Sequence, residues 1–476
     1  MTPWKTLLAG LVLMLSAGPL AAALAILPKV TAAADGRSFV TADARPFVPF
    51  GVTYFRPNTG WAPQVWKRWD AAATRADFTR MKALGVNTVR VFLSFGSFLS
   101  EPGKVDAAGL AKFREFLSLA EEAGLYVHPT GPDHWEGLPE WAREDRVADE
   151  AVLTALEQFW RQFAAEFKGR PALFAYDLLN EPEVRWDTAP MRAKWARWLE
   201  REFKSVEAAA VALQLKSGPK SWGDIAVPDG KANRRLEPVL LAYQRLREDI
   251  ADEWTRRQVA AIKSADPQAL VTAGLIQWSV PASLAGPFHY AAFRPARQAA
   301  WLDFMEVHFY PLDHGAYAYR DDESERRNLA YLEAVVAEVA RCGKPVVVAE
   351  FGWYGGGKPR FDGGRHPFAT EEQQARWCRR LVESTRGLAQ GWLNWGVFDQ
   401  PEATDPSEFS GLLTPDGKEK AWGRDFRRLA GELKAGVKPV SVPRDRPRLD
   451  WDAAVTDTAA GNEFRARYYD AWRRDH

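Results

Sequence analysis

Two runs decide how this chain reads: LFAYDLLNEP, residues 173–182, and KPVVVAEFGW, residues 344–353. Each is an apolar stretch of strand length that closes on a carboxylate, Glu181 in the first and Glu350 in the second. Near-continuous apolar strands are buried on both faces, as in a parallel sheet covered by helices. In a β/α barrel the C-terminal ends of the strands form the face where active sites are built. Two carboxylates on that face, from different strands, are the minimum equipment for cleaving a glycosidic bond.

Working outward from these runs, short β-rich segments alternate with longer amphipathic ones. Strands are expected at Phe47–Tyr54, Asn87–Leu93, Leu125–Thr130, Leu173–Asn180, Ala269–Leu275, Phe304–Tyr310, Pro345–Phe351 and Gly391–Phe398. Helical periodicity marks Arg75–Leu84, Ala107–Ala123, Glu150–Phe167, Glu237–Ser264, Glu325–Arg341, Glu371–Arg386 and Trp422–Lys434. Gly85 and Gly124 follow two of these helices, where a left-handed capping residue belongs. The expected fold is therefore α/β, a (β/α)8 TIM barrel over residues 35–436. A long insertion follows the fourth strand, from Trp186 to about Leu236, with its own helix at Arg192–Phe203. It either shapes a cleft or packs on the rim. Residues 437–476 form a C-terminal extension, too poor in apolar residues for a domain, that packs on the barrel and ends in an amphipathic run at Phe464–Trp472.

The N-terminal segment, residues 1–34, reads as a signal peptide or an N-terminal anchor. Lys5 precedes the apolar run Leu7–Leu27, and an Ala-rich stretch follows. Cleavage after Ala23 or Ala33 implies an exported protein, periplasmic or extracellular; an uncleaved run is nearly long enough to span a bilayer. The 63 basic and 62 acidic residues leave a formal charge of +1, which gives no footprint for nucleic acid. A monomer acting on a carbohydrate is expected. Two cysteines, Cys342 and Cys378, are too few for a disulfide scaffold, and without neighbouring histidines they form no structural zinc site. The 21 tryptophans divide between core and sugar platforms, since an indole face packs well on a pyranose. Trp61, Trp66, Trp69, Trp135, Trp141, Trp186, Trp278 and Trp353 fall in or near expected mouth loops.

Several polar residues stand where chemistry is expected. Asn180 and Glu181 end the fourth strand, and Pro182 stops its ladder. Glu350 ends an apolar strand, where a charge is costly unless paired or functional. Strict alternation places Glu350, Val348 and Val346 on one face. Glu306, His308 and Tyr310 are two apart and share a face of the sixth strand. Tyr310 is expected to hold Glu350, His308 to shape the same pocket, and Glu306 to be structural. Arg90 lies mid-strand and needs an acidic partner, for which Glu350 is the natural choice. His128 on the third strand, with Asp133, His134 and Trp135 after it, offers either hydroxyl-binding groups or plain loop residues. Trp392, Asn394 and Trp395 on the eighth strand offer a platform for the sugar.

On these motifs the chain resembles the retaining glycoside hydrolases of clan A, most closely family 5, which includes cellulases and β-mannanases. The resemblance spans roughly Phe47 to Leu433. It implies Glu181 as acid/base, Glu350 as nucleophile, and Arg90, Asn180, His308, Tyr310 and Trp395 as supporting residues. His128 carries over only in part, because His128-Pro129-Thr130-Gly131 lacks the Asp-x-His pattern common in family 5. The segment Phe203–Glu207 in the insertion is similar to family 42 β-galactosidases. The implied activity is double-displacement hydrolysis of a β-linked oligo- or polysaccharide, β-mannan or β-glucan, with no metal or organic cofactor. An exo-β-galactosidase or a transglycosylase would use the same carboxylates. A barrel that binds polysaccharide without cutting it is the reading from another class, and it has no reason to hold a charged pair in a dry cleft. A metal-dependent hydrolase would need clustered histidines, and no His-x-His or His-Glu-x-x-His occurs. A Schiff-base aldolase would need a lysine inside the barrel, and Lys344 sits at the wrong, entering end of its strand. The glycine-rich run Gly355–Gly364 lacks a phosphate-binding pattern and reads as a cleft loop.

Overall fold

The computed structural model describes residues 27–59, 64–311, 320–360 and 366–475. Most of the apolar N-terminal run, Trp61, and Gly363 and Gly364 lie outside the described residues. Eight parallel strands close into a barrel in strict chain order: β1 (Phe50–Thr53), β2 (Thr88–Ser94), β3 (Tyr126–Asp133), β4 (Tyr176–Asn180), β5 (Val271–Leu275), β6 (Met305–Phe309), β7 (Val346–Phe351) and β8 (Gly391–Asn394). Pairing of β8 with β1 completes the ring. The helices outside it include Ala71–Ala83, Ala107–Ala123, Glu150–Phe167, Pro238–Ala265, Asp322–Ala340, Glu371–Thr385 and Ala421–Leu433. The expected (β/α)8 barrel is thus the observed one, with most element ends within a few residues of expectation.

Local chemistry explains several helix ends. Asp106 and Asp149 accept hydrogen bonds from the first free amides of their helices, and Thr370 forms a capping box with Gln373. Gly85 and Gly124 adopt φ of 86° and 67°, the left-handed turn that only glycine enters at little cost.

The bottom of the barrel is plugged. A small antiparallel sheet (Val30–Ala32, Phe39–Thr41, Pro46–Phe47) sends Val30, Phe39 and Phe47 against Tyr126, Phe174, Phe304, Val347 and Ala349. Phe39 meets Phe174 and Phe304 edge-on, at 5.6 and 5.2 Å. With this end closed by aromatics, only the opposite mouth is left for a polar site.

The insertion after β4 packs on the helix Pro238–Ala265. Its helix Ala189–Glu202 buries Trp195 and Trp198, stacked at 5.5 Å, and Trp198 donates to Asp249 at 3.0 Å. At the C-terminus, the helix Thr458–Trp472 lies along Asp322–Ala340, with Tyr468 and Arg446 both bonded to Glu333. Cys342 and Cys378 are free thiols. Among the described residues no helix is long and apolar enough to cross a membrane.

Candidate active site

The site begins with a buried guanidinium. Arg90 on β2 is fully buried in the barrel and donates to Asp177 (2.9 Å), Asn180 (2.9 Å) and Glu350 (3.0 Å). Asp177 and Asn180 are three apart, so unbroken alternation would turn them to opposite faces. A bulge between them, three residues of β4 against two of β5, brings both inward. Asp177 also accepts from Thr130 (2.9 Å) and from the amide of Gly274 (2.8 Å). Asp177, which the sequence does not single out, therefore belongs to the same buried polar network as Arg90. The signal was a single carboxylate within an apolar strand, the same argument that singles out Arg90.

Just beyond the bulge, Glu181 takes φ of 48°, uncommon for a residue with a side chain. Its amide bonds to the Gly274 carbonyl at 2.8 Å, so the turn is tied to β5. Asn180 spends its carbonyl oxygen on Arg90, which leaves its NH2 as the group to present toward a ligand.

A second bulge positions Glu350. Val348 pairs with Val307, but Glu350 pairs with His308, so β7 carries one extra residue there. The expected shared face for Glu350, Val348 and Val346 is therefore wrong. Val347 and Ala349 face the plug below, and the bulge turns Glu350 inward above them. Alternation does hold along β6, where Glu306, His308 and Tyr310 all point inside. Tyr310 donates to Glu350 at 2.8 Å. His308 Nδ1 lies 3.1 Å from Glu181 and 3.5 Å from Glu350. One ligand-type atom of each of Glu181, His308 and Glu350 falls within 4.8 Å of the others. Carboxyl oxygens this close fit the short separation of a retaining pair better than the wider one of an inverting pair.

The two carboxyls differ in their surroundings. Glu181 keeps 27% of its side-chain surface and Glu350 7%. Burial pushes Glu181 up to about 7, with Asp133 adding to the rise and Arg90 opposing it. Burial raises Glu350 too, and Glu181 adds to it, but His308, Arg90 and Tyr310 act to keep it ionised. Only Glu350 has a fixed cation and a phenol bonded to it, so Glu350 is the member that carries the charge. Burial lowers His308 to about 4, so its imidazole is neutral, with Nδ1 facing both carboxyl groups. A side chain on Gly274 would start 2.9 Å from His308 Nε2 and 3.2 Å from Arg90, so the absence of a Cβ there is what lets both groups sit against β5.

Residues 40–399 match the family model described as cellulase (glycosyl hydrolase family 5). The chain belongs to glycosyl hydrolase family 5. It is a glycosidase, a retaining β-glycoside hydrolase. Comparison with curated proteins gave no match. Among solved structures it is similar to a glutamate-to-alanine variant of a GH5_18 protein from Streptomyces cattleya in complex with Manβ1-4GlcNAc. That match has a TM-score of 0.60 and 21% identity, and covers 88% of this chain and 90% of that one. It is also similar to an exo-β-1,4-mannosidase from Opitutaceae bacterium strain TAV5, with a TM-score of 0.61 and 21% identity, covering 85% of this chain and 62% of that one. A β-galactosidase from the psychrophilic Marinomonas ef1 matches with a TM-score of 0.61 and 17% identity, over 81% and 59%. These likenesses are of fold.

Other residues of this family 5 chain sit differently from expectation. His128 does not reach the cleft. It is wholly buried, rests on Phe174 and Phe304 of the plug, and bonds Glu306 at 2.6 Å and the Ala175 carbonyl at 3.0 Å. Burial disfavours its charge, yet Glu306 and Asp177 overcome this and raise its pKa. Glu306 and His128 thus form a buried pair beneath Arg90. Trp395 is 4% exposed, flanked by Phe55, Phe92 and Trp135, with its N–H on Ser407 at 2.5 Å. Trp392 instead packs outward and bonds Thr385. Of the expected mouth tryptophans, Trp66 and Trp353 are core, while Trp69, Trp135, Trp141, Trp186 and Trp278 keep part of their surface.

These environments set the pH profile. The acid must be protonated and the nucleophile ionised, so kcat/KM is expected to fall on the alkaline side with an apparent pKa of about 7, belonging to the coupled pair. In Glu181→Gln, with an aryl glycoside whose leaving group needs no proton, that alkaline limb should vanish. Its persistence would assign the limb to another group.

Proposed function

We propose that this glycosidase hydrolyses a β-mannosidic bond by double displacement. The observation that carries the mechanism is the Glu181–His308–Glu350 cluster, with one carboxyl held up to about 7 and the other bonded by Arg90 and Tyr310. Glu350 attacks the anomeric carbon as the bond to the leaving oxygen breaks, and Glu181 gives that oxygen its proton. Water then adds at the same carbon, losing a proton to Glu181, and Glu350 departs as a carboxylate. Neutral His308 and Tyr310 hold Glu350 in line, while the Asn180 amide is placed to bind the hydroxyl next to the reacting carbon.

The sugar is inferred from the likeness to proteins described as an exo-β-1,4-mannosidase and as a GH5_18 complex with Manβ1-4GlcNAc. The apolar run Leu7–Leu27 supports export of the activity from the cytoplasm. Incubation with activated 2-deoxy-2-fluoro β-glycosides of mannose, glucose and galactose, followed by peptide mapping, tests both parts. The mannoside is expected to label Glu350 fastest. Faster labelling by another sugar would replace the substrate, and an adduct elsewhere would replace the nucleophile.

A further inference from the structure

A cavity of about 360 Å³ lies on the flank of Glu181, between the loops after β3 and β4. Its wall includes Arg143, Arg146, Arg185, His134, Glu181 and Glu183 but not Glu350, so it is not the space between the two carboxylates. Glycosidic oxygens are protonated from the acid's side, and the leaving group departs over that flank. A leaving group therefore meets three arginines.

Their existing partners leave much of this charge available. Among the described residues, Arg185 donates to the backbone carbonyls of Arg143 and Glu144. Arg146 reaches one carboxylate, Asp133, at 3.4 Å, and Asp133 is shared with His134. Arg143 pairs with Glu140 at the surface, both strongly exposed, an arrangement of small energetic weight. Among the wall carboxylates, Glu183 feels buried Arg247 behind it as well as Arg185. Arg247 is wholly buried and stacks over Trp186 at 4.9 Å. The forked donors of a guanidinium can serve a sugar hydroxyl, but they match the paired oxygens of a carboxylate, sulfate or phosphate better.

We infer that the cavity beside Glu181 is a leaving-group subsite for an anionic substituent, carried on the sugar or other aglycone that the enzyme releases. The inference rests on the hydrolase reading above. The substituent's oxygens sit among Arg146, Arg185 and Arg143, while the glycosidic oxygen meets Glu181. His134, stacked on Trp135 at 4.7 Å with Nδ1 on Asp133, has its imidazole fixed at the cavity edge.

Aryl β-mannosides, β-glucosides and β-galactosides bearing a meta carboxylate or a meta sulfonate, each compared with its amide, give the test in the full-length enzyme. The amides are the better leaving groups, so any preference for the acids reports recognition rather than leaving ability. On the glycone that is cleaved, kcat/KM for the anionic aglycone is expected to exceed that for the amide by about 10-fold, a ratio typical of one charge-assisted contact pair. The preference should shrink with added salt. Arg185→Gln and Arg146→Gln should each lower the ratio, and Glu183→Gln should raise it, an opposite sign that general damage would not produce. The carboxylate and sulfonate arms tell which anion geometry is preferred. Turnover with ratios near one, or ratios unmoved by the arginines, would overturn the subsite and leave the hydrolase reading intact. No turnover of any of the three glycones would overturn the proposed β-mannosidase function, and the subsite that rests on it.

Discussion

Glu350→Ala is expected to lower kcat by about 10^4-fold or more, the loss typical when a nucleophile whose partners act as a unit is removed. The surrounding groups make this larger than a simple truncation. Arg90 and Tyr310 both spend a hydrogen bond on this carboxylate, and His308 stands 3.5 Å away. Without Glu350 they face an empty anionic site, which a small nucleophile such as azide fits. Azide should then restore turnover of an activated β-glycoside and yield the α-glycosyl azide, because it attacks from the vacated side. Glu181→Ala should behave differently. Its loss should be severe for a natural glycoside and slight for the first step with a leaving group that needs no proton. Azide added to that variant should release the β-glycosyl azide, having displaced Glu350 from the glycosyl-enzyme. Product configuration by NMR checks both assignments: the same azide anomer from both variants would mean that the roles are wrong.

Glu181 and Glu350 stand out in the sequence itself, because a carboxylate closing a fully apolar strand has few cheap explanations. The barrel was legible for a similar reason: eight apolar runs spaced by amphipathic helices leave few alternatives. What escaped was geometry that breaks the local rule. The extra residues at Asp177–Asn180 and Val348–Glu350 are invisible in a sequence read at period two, yet they turn Asp177, Asn180 and Glu350 onto one guanidinium. Asp177 was passed over because its neighbours are apolar, although burial made it the most informative residue of its strand. The fate of the tryptophans depended on packing: Trp66 and Trp353 follow strands just as Trp135 does, but helices and loops cover them. His128 looked like a mouth residue because its strand is long. Its register opposite Arg90 places it deep, above the aromatic plug.

Arg90→Leu is expected to cost about 3–5 kcal/mol of stability, the penalty typical when one partner of a buried ion pair is removed. Asp177 and Glu350 would be left as unpaired carboxylates, one wholly buried and the other nearly so. At present burial works against the Arg90 charge, and Asp177, Glu350 and Glu306 more than reverse it, so the guanidinium stays charged in the native barrel. The sign of the pH dependence follows. Burial already raises the folded-state pKa of Glu350, and without Arg90, which opposes that rise, it climbs further above that of the unfolded chain. A raised carboxylate pKa costs nothing below the unfolded value, about 4 for this residue, and costs progressively more as pH climbs above it. Urea midpoints should therefore show a small deficit at pH 4 and a large one at pH 7. Adding Asp177→Asn should recover part of the stability by removing one of the stranded charges. It should not recover turnover, since Asn180 would still lack its anchor and Glu350 its cation. A deficit that is the same at both pH values would mean that Arg90 contributes by packing against Phe92, 4.9 Å from its guanidinium, rather than by charge.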